Sequence, residues 1–113
     1  MLIVDDHPSF RTTATALLEA EGYEVVGEAA DGASAIELVN ALRPEVVLLD
    51  LQLPDLDGFE VAARLRENGS GSAVVLVSSR DASEFGSAIA VSGARGFIPK
   101  AELSGAAIAA LLD

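Results

Sequence analysis

The chain has 113 residues, half of them hydrophobic, no cysteine and a formal net charge of -11, which suits one domain with a single core. Its seven basic residues are scattered, so no basic stripe exists to displace phosphate counterions, which argues against direct nucleic-acid binding. Without cysteine there are no disulfides, thiolate metal sites or thiol nucleophiles, and with no apolar run of about 18 residues and no signal-peptide pattern the expectation is a cytoplasmic domain that avoids membranes.

Leu2, Ile3 and Val4 lead into Asp5 and Asp6, a short apolar run of the kind that is buried on both faces of a parallel sheet. From Pro8 to about Ala20, the residues Phe10, Ala14, Leu17 and Leu18 fall at helical spacing, and Gly22 ends the helix. Glu24 to Ala29 reads as a second strand. Asp31-Gly32 is a turn, and Ala35, Leu38, Val39 and Leu42 form the apolar face of a second helix, stopped by Arg43-Pro44. Val46–Leu49 is a third strand leading into Asp50. Pro54 to Gly58 makes a loop, followed by a helix to about Glu67. Asn68 to Gly71 is a turn before the strand Ala73–Val77. A helix over about Ala82–Ser92 ends at Gly93, a short strand covers Gly96–Ile98, and a last helix covers Ala101–Leu112. Pro99 marks a turn whose bond isomer the sequence leaves open. The chain opens almost inside its first strand and stops within its last helix, the pattern of a domain trimmed from a longer protein.

Five β-α units with short connections predict an α/β fold: a doubly wound, parallel sheet between two helical layers, with strand order 2-1-3-4-5. Ligands of such sheets bind beyond the carboxyl ends of the strands, where the order reverses. The first and third strands then lie side by side, and Asp5, Asp6 and Asp50 converge. Gathered acids repel and raise one another's pKa unless a cation shares the site, and hard oxygen donors with room for water favour Mg2+. The plainer explanation, that strand ends are polar and acids common in so acidic a chain, fits poorly with two independent strand ends carrying them. Ser78, after the fourth strand, reads as a helix cap or as a hydroxyl for a phosphoryl oxygen. Lys100, the single lysine, reads as a solvated charge or as a partner of the acids.

These residues carry a family resemblance. Ile3-Val4-Asp5-Asp6-His7-Pro8, Asp50-Leu51-Gln52-Leu53-Pro54-Asp55-Leu56-Asp57-Gly58, Val77-Ser78-Ser79 and Gly96-Phe97-Ile98-Pro99-Lys100 together resemble the receiver domain of bacterial two-component response regulators. The likeness spans essentially residues 1–113 and implies a flavodoxin-like (βα)5 fold. The Asp-Asp-His-Pro opening is most similar to the subfamily with a C-terminal helix-turn-helix output domain; no such domain lies in these residues.

The resemblance implies that Asp50 takes a phosphoryl group from a phosphohistidine of a sensor histidine kinase. It assigns Mg2+ to Asp6, Asp50 and the Gln52 backbone carbonyl, with Asp5 acting directly or through water. Ser78 and Lys100 would hold the phosphoryl oxygens, and Ser78 and Phe97 would form the switch. A homodimer is left open as a further partner, and DNA would be reached only through an output domain outside this chain. Gln52 and Arg80, each two positions after a site residue, would flank the path of an attacking water. His7 as a phosphate carrier is disfavoured, because the donor histidine belongs to the kinase. Serine in place of the commoner threonine at 78 loses a methyl and keeps the donor.

Three rivals stand beside this reading. A hydrolase of the haloacid dehalogenase type would place an acid at 52, where this chain has Gln52. A flavodoxin would offer hydroxyls in its first loop, where Asp5 and Asp6 would repel a phosphate. A receiver-like interaction module that is never phosphorylated is the third, against which Asp6, Asp50, Ser78 and Lys100 all speak.

Overall fold

The computed structural model describes residues 1–112. Its strands are β1 (Leu2–Val4), β2 (Gly27–Ala29), β3 (Val46–Asp50), β4 (Ala73–Ser78) and β5 (Gly96–Pro99); its α-helices are α1 (Pro8–Ala20), α2 (Gly32–Leu42), α3 (Gly58–Glu67), α4 (Ala88–Val91) and α5 (Gly105–Leu112). All strand pairings within the sheet are parallel, and the sheet order is β2-β1-β3-β4-β5. That is the predicted order, with the reversal between β1 and β3.

Alternation along the strands builds two cores, one on each face. Leu2, Val4, Val47, Leu49, Val74 and Leu76 face Ala35 and Val39 of α2 and Val61 and Leu65 of α3. Ile3, Val46, Leu48, Val75, Val77 and Ile98 face Ala14 and Leu18 of α1 and Ile108 of α5. Each Leu, Ile or Val fully buried here stabilises the fold by about 1.5–3 kcal/mol. β1 and β3 are buried along their whole length, which is why they read as unbroken apolar runs.

Three expectations need correction. The second strand is only Gly27–Ala29, not Glu24–Ala29, because it is an edge: Val26 is 42% exposed, and the preceding residues keep only Met1 N to Glu24 O and Val26 N to Met1 O. The helix expected over Ala82–Ser92 is broken into a 3-10 turn, Ala82–Phe85, and the single turn α4. Gly86 separates them at φ 57 and ψ -133, a positive-φ conformation that glycine tolerates and a helix cannot contain. Neither piece has a fully buried residue. The last helix starts at Gly105 rather than Ala101. Lys100–Glu102 wind as 3-10, Leu103 is extended, and the Ser104 hydroxyl accepts from Ala107 N at 3.0 Å as an N-cap. The Pro99 isomer, which the sequence leaves open, is trans, as is every described peptide bond.

Candidate functional site

The carboxyl edge of the sheet gathers the acids at the reversal between β1 and β3. Asp5 follows β1 and is held by its backbone: its N–H donates to Ala29 O at 3.0 Å, and its carbonyl accepts from Arg11 Nη1 at 2.6 Å. Asp50 ends β3 beside Val77 of β4. Leu51 N donates to Val77 O, so the chain turns away only after the acid. Asp5 is wholly buried and Asp50 nearly so, whereas Asp6 and His7 lie toward solvent.

Lys100 enters from the end of β5. Its Nζ lies 2.6 Å from Asp5 Oδ2 and 3.5 Å from Asp50 Oδ2, and 4.5 Å above the centre of the Phe10 ring. The single lysine is therefore a mostly buried counter-ion, with an aromatic face beneath it. Phe10 and Arg11 stand out in sequence only as residues of the helix Pro8–Ala20. Their position, one helical turn past the acids, was the signal that they face the same edge.

Burial is the main reason the Asp50 carboxyl is pushed up to about 6, and the charge of Asp5 adds to it. The Gln52 backbone N–H, which donates to Asp50 Oδ1 at 3.2 Å, and Lys100 act in the opposite direction. Like-charge repulsion thus operates as the sequence suggested, but desolvation outranks it.

Ser78 ends β4, one residue past the neighbour of Asp50, and is fully buried. Its Oγ accepts from Arg80 N at 3.0 Å, so it caps the following turn while its own proton remains free to donate. Both readings of this serine fit one geometry. With its amide oxygen turned to the guanidinium, Gln52 accepts from Arg80 Nε at 3.1 Å and Nη2 at 3.2 Å. The two residues expected to flank the water path are thus in contact with each other. Phe97 is half-buried, its ring 5.9 Å from Phe85, which lies 5.9 Å from Phe59.

The donor set fits a hard divalent cation. One atom each from Asp5, Asp6, His7 and Asp50 lies within 4.8 Å of the others, and opposite ligands of Mg2+ sit about 4.2 Å apart. Asp6 Oδ1 is buried without a well-formed hydrogen bond, the state of an oxygen suited to a cation. His7, disfavoured as a phosphate carrier, has Nδ1 3.1 Å from both Asp5 Oδ1 and Asp6 Oδ1.

Comparison with known proteins points the same way. The family model described as the response regulator receiver domain matches residues 1–111. The nitrate/nitrite response regulator protein NarP of Escherichia coli is 42% identical over 88% of this chain and 47% of its own length. A protein of Pseudomonas aeruginosa named as a transcriptional regulator is 37% identical over 90% of this chain and 49% of its own. The chain thus spans about half the length of the curated relatives it matches. Among solved structures, the signal receiver domain of NarL from Mycobacterium tuberculosis superposes with a TM-score of 0.85 at 37% identity, covering 98% of this chain and 94% of that one.

Proposed function

The chain belongs to the response regulator receiver domain family, and from that membership we propose that it is a phosphorylation-dependent switch whose acceptor is Asp50. The observation that carries this reading is the Lys100 ammonium set between buried Asp5 and Asp50 at the reversal of the sheet. A carboxylate there can attack phosphorus. The donor would be a phosphohistidine of a sensor kinase: a P–O bond to Asp50 forms, the P–N bond breaks, and its electron pair leaves with the imidazole. Lys100 and the free proton of Ser78 would bind the phosphoryl oxygens. Asp5, Asp6, Asp50 and the Gln52 carbonyl would hold Mg2+, which when bound offsets repulsion between the anionic acceptor and donor. The chain would assist only its own phosphorylation and hydrolysis.

In this reading residues 1–113 are one receiver, and the output lies outside them. The relatives are about twice as long, and one is named as a transcriptional regulator; a DNA-binding output fits both facts. No described helix is long and apolar enough to cross a membrane.

The deciding experiment is intact mass after incubation with acetyl phosphate and Mg2+. The parent is expected to gain one phosphoryl group and Asp50→Asn none. Uptake by both, or by neither, overturns the acceptor assignment.

The same geometry supports a switch. Drawing Ser78 toward a phosphoryl group strains its cap on Arg80 N and displaces the weakly buried segment 82–91. Phe97 already packs on Phe85 of that segment and has no hydroxyl to hold it outward. NMR shift changes on adding beryllofluoride are expected to reach residues 82–98. Changes confined to the acidic pocket would leave the acceptor standing and remove the switch.

A further inference from the structure

The first backbone N–H groups of any helix lack partners within it. In α2 they are satisfied by two different carboxylates. Asp31, the N-cap, accepts from Ser34 N at 2.8 Å. The first two N–H groups donate instead to a residue far along the chain: Gly32 N to Asp55 Oδ1 at 2.8 Å and Ala33 N to Asp55 Oδ2 at 3.0 Å. Asp55 sits in the loop that follows Asp50, and its Oδ1 also accepts from Leu56 N at 2.9 Å.

Two further observations make this a built contact. The approach is close enough to require glycine at 32, since a Cβ there would lie 2.9 Å from Val61 Cγ2 and 3.0 Å from Leu56 Cβ. The loop is also closed at its base. Gly58 N donates to Leu51 O at 3.0 Å, Gln52 and Asp57 form an antiparallel bridge, and a Cβ on Gly58 would lie 2.6 Å from Asp50 O. The segment 51–57 is therefore tied at its base to Asp50 and at its far corner to α2. The negative carboxylate suits the positive end of the helix, and the Gly32 and Ala33 N–H groups hold its pKa below the usual range.

We infer that Asp55 is a positioning residue for the phosphoryl-acceptor site: by clamping its loop to the start of α2 it fixes the Gln52 backbone against Asp50, and so sets metal affinity and acceptor reactivity. This rests on the function proposed above. A simple helix cap would do less, and Asp31 supplies the comparison, because it caps the same helix through Ser34 N and makes no hydrogen bond to the loop.

The test measures Mg2+ affinity by NMR titration, phosphoryl uptake from acetyl phosphate, and amide exchange in the parent, Asp55→Ala, Asp55→Asn and Asp31→Ala. Asp55→Ala is expected to weaken Mg2+ binding and slow uptake by about tenfold, the lower end of what losing an outer-shell support costs, and to speed exchange at Gln52. Asp55→Asn, which keeps one acceptor oxygen, is expected to fall between it and the parent. Asp31→Ala is expected to lower thermal stability and leave affinity and uptake unchanged. Equal losses in Asp55→Ala and Asp31→Ala, or an Asp55→Ala variant with normal Mg2+ affinity and uptake, would overturn the inference. A parent that neither binds Mg2+ nor takes up a phosphoryl group would instead overturn the function on which it rests.

Discussion

Metal-free chain carrying Asp50→Asn is expected to be more stable than the parent at neutral pH, although it has lost the proposed acceptor. Asp50 is held where burial favours its protonated form, with a carboxyl pushed up from 3.8 to about 6. A group whose folded pKa is raised contributes stability below its unfolded pKa and loses it as pH rises through the folded one. At pH 7 the folded chain therefore carries an ionised acid that the unfolded chain would hold more comfortably. The full shift corresponds to roughly 3 kcal/mol, and solvent screening at the open edge of the site lowers this to on the order of 2 kcal/mol. Asparagine removes that charge, while Lys100 keeps Asp5 as its partner. Urea denaturation across pH, with chelator present, is expected to show the variant ahead at pH 7 and the gap closing as pH falls from about 6 to about 4. A gap that does not vary with pH would mean that packing, not ionisation, separates the two. Added Mg2+ is expected to narrow the gap, because it stabilises only the form that binds it.

Lys100→Met is expected to act in the opposite direction and more strongly. The ammonium is the nearest cation to two acids with almost no exposure, and its own side chain is 16% exposed. Removing one member of a buried ion pair commonly costs about 3–5 kcal/mol, because the remaining charge is left uncompensated. Protonation limits the loss: without Lys100 the Asp50 carboxyl moves further up and takes a proton more readily. The deficit is therefore expected to be largest above neutral pH and to shrink in acid, and Mg2+ is expected to recover more stability in the variant than in the parent. A Lys100→Met protein as stable as the parent at pH 8 would show that solvent already screens the acids.

Most of the fold and the clustering of the candidate site were legible in sequence because they rest on local patterns. Strands buried on both faces appear as unbroken apolar runs, as at Leu2–Val4 and Val46–Leu49, and each run ends in the acid that the sheet carries to its edge. Parallel pairing with short crossovers leaves few arrangements, and the 2-1-3-4-5 order was among them. The errors fell where local pattern was weak or overruled. Ala82–Ser92 has helical composition, yet Gly86 breaks it and no buried face holds it together. Ala101 to Ser104 are good helix formers or caps, but the cap that starts α5 is Ser104, and the backbone amide of Gly105 is also held by the Glu21 carboxylate.

Composition and periodicity by themselves predicted a parallel α/β domain with Asp5, Asp6 and Asp50 at one edge, and left Ser78 and Lys100 open until the family resemblance assigned them there. Only the tertiary structure decided how those groups are paired and charged. The distance from Lys100 to Asp5 and Asp50, the burial that raises Asp50, the Gln52–Arg80 contact and the Asp55 clamp on α2 all join residues far apart in the chain. Charge energies depend on separation and solvent access, and neither can be read from spacing along a sequence.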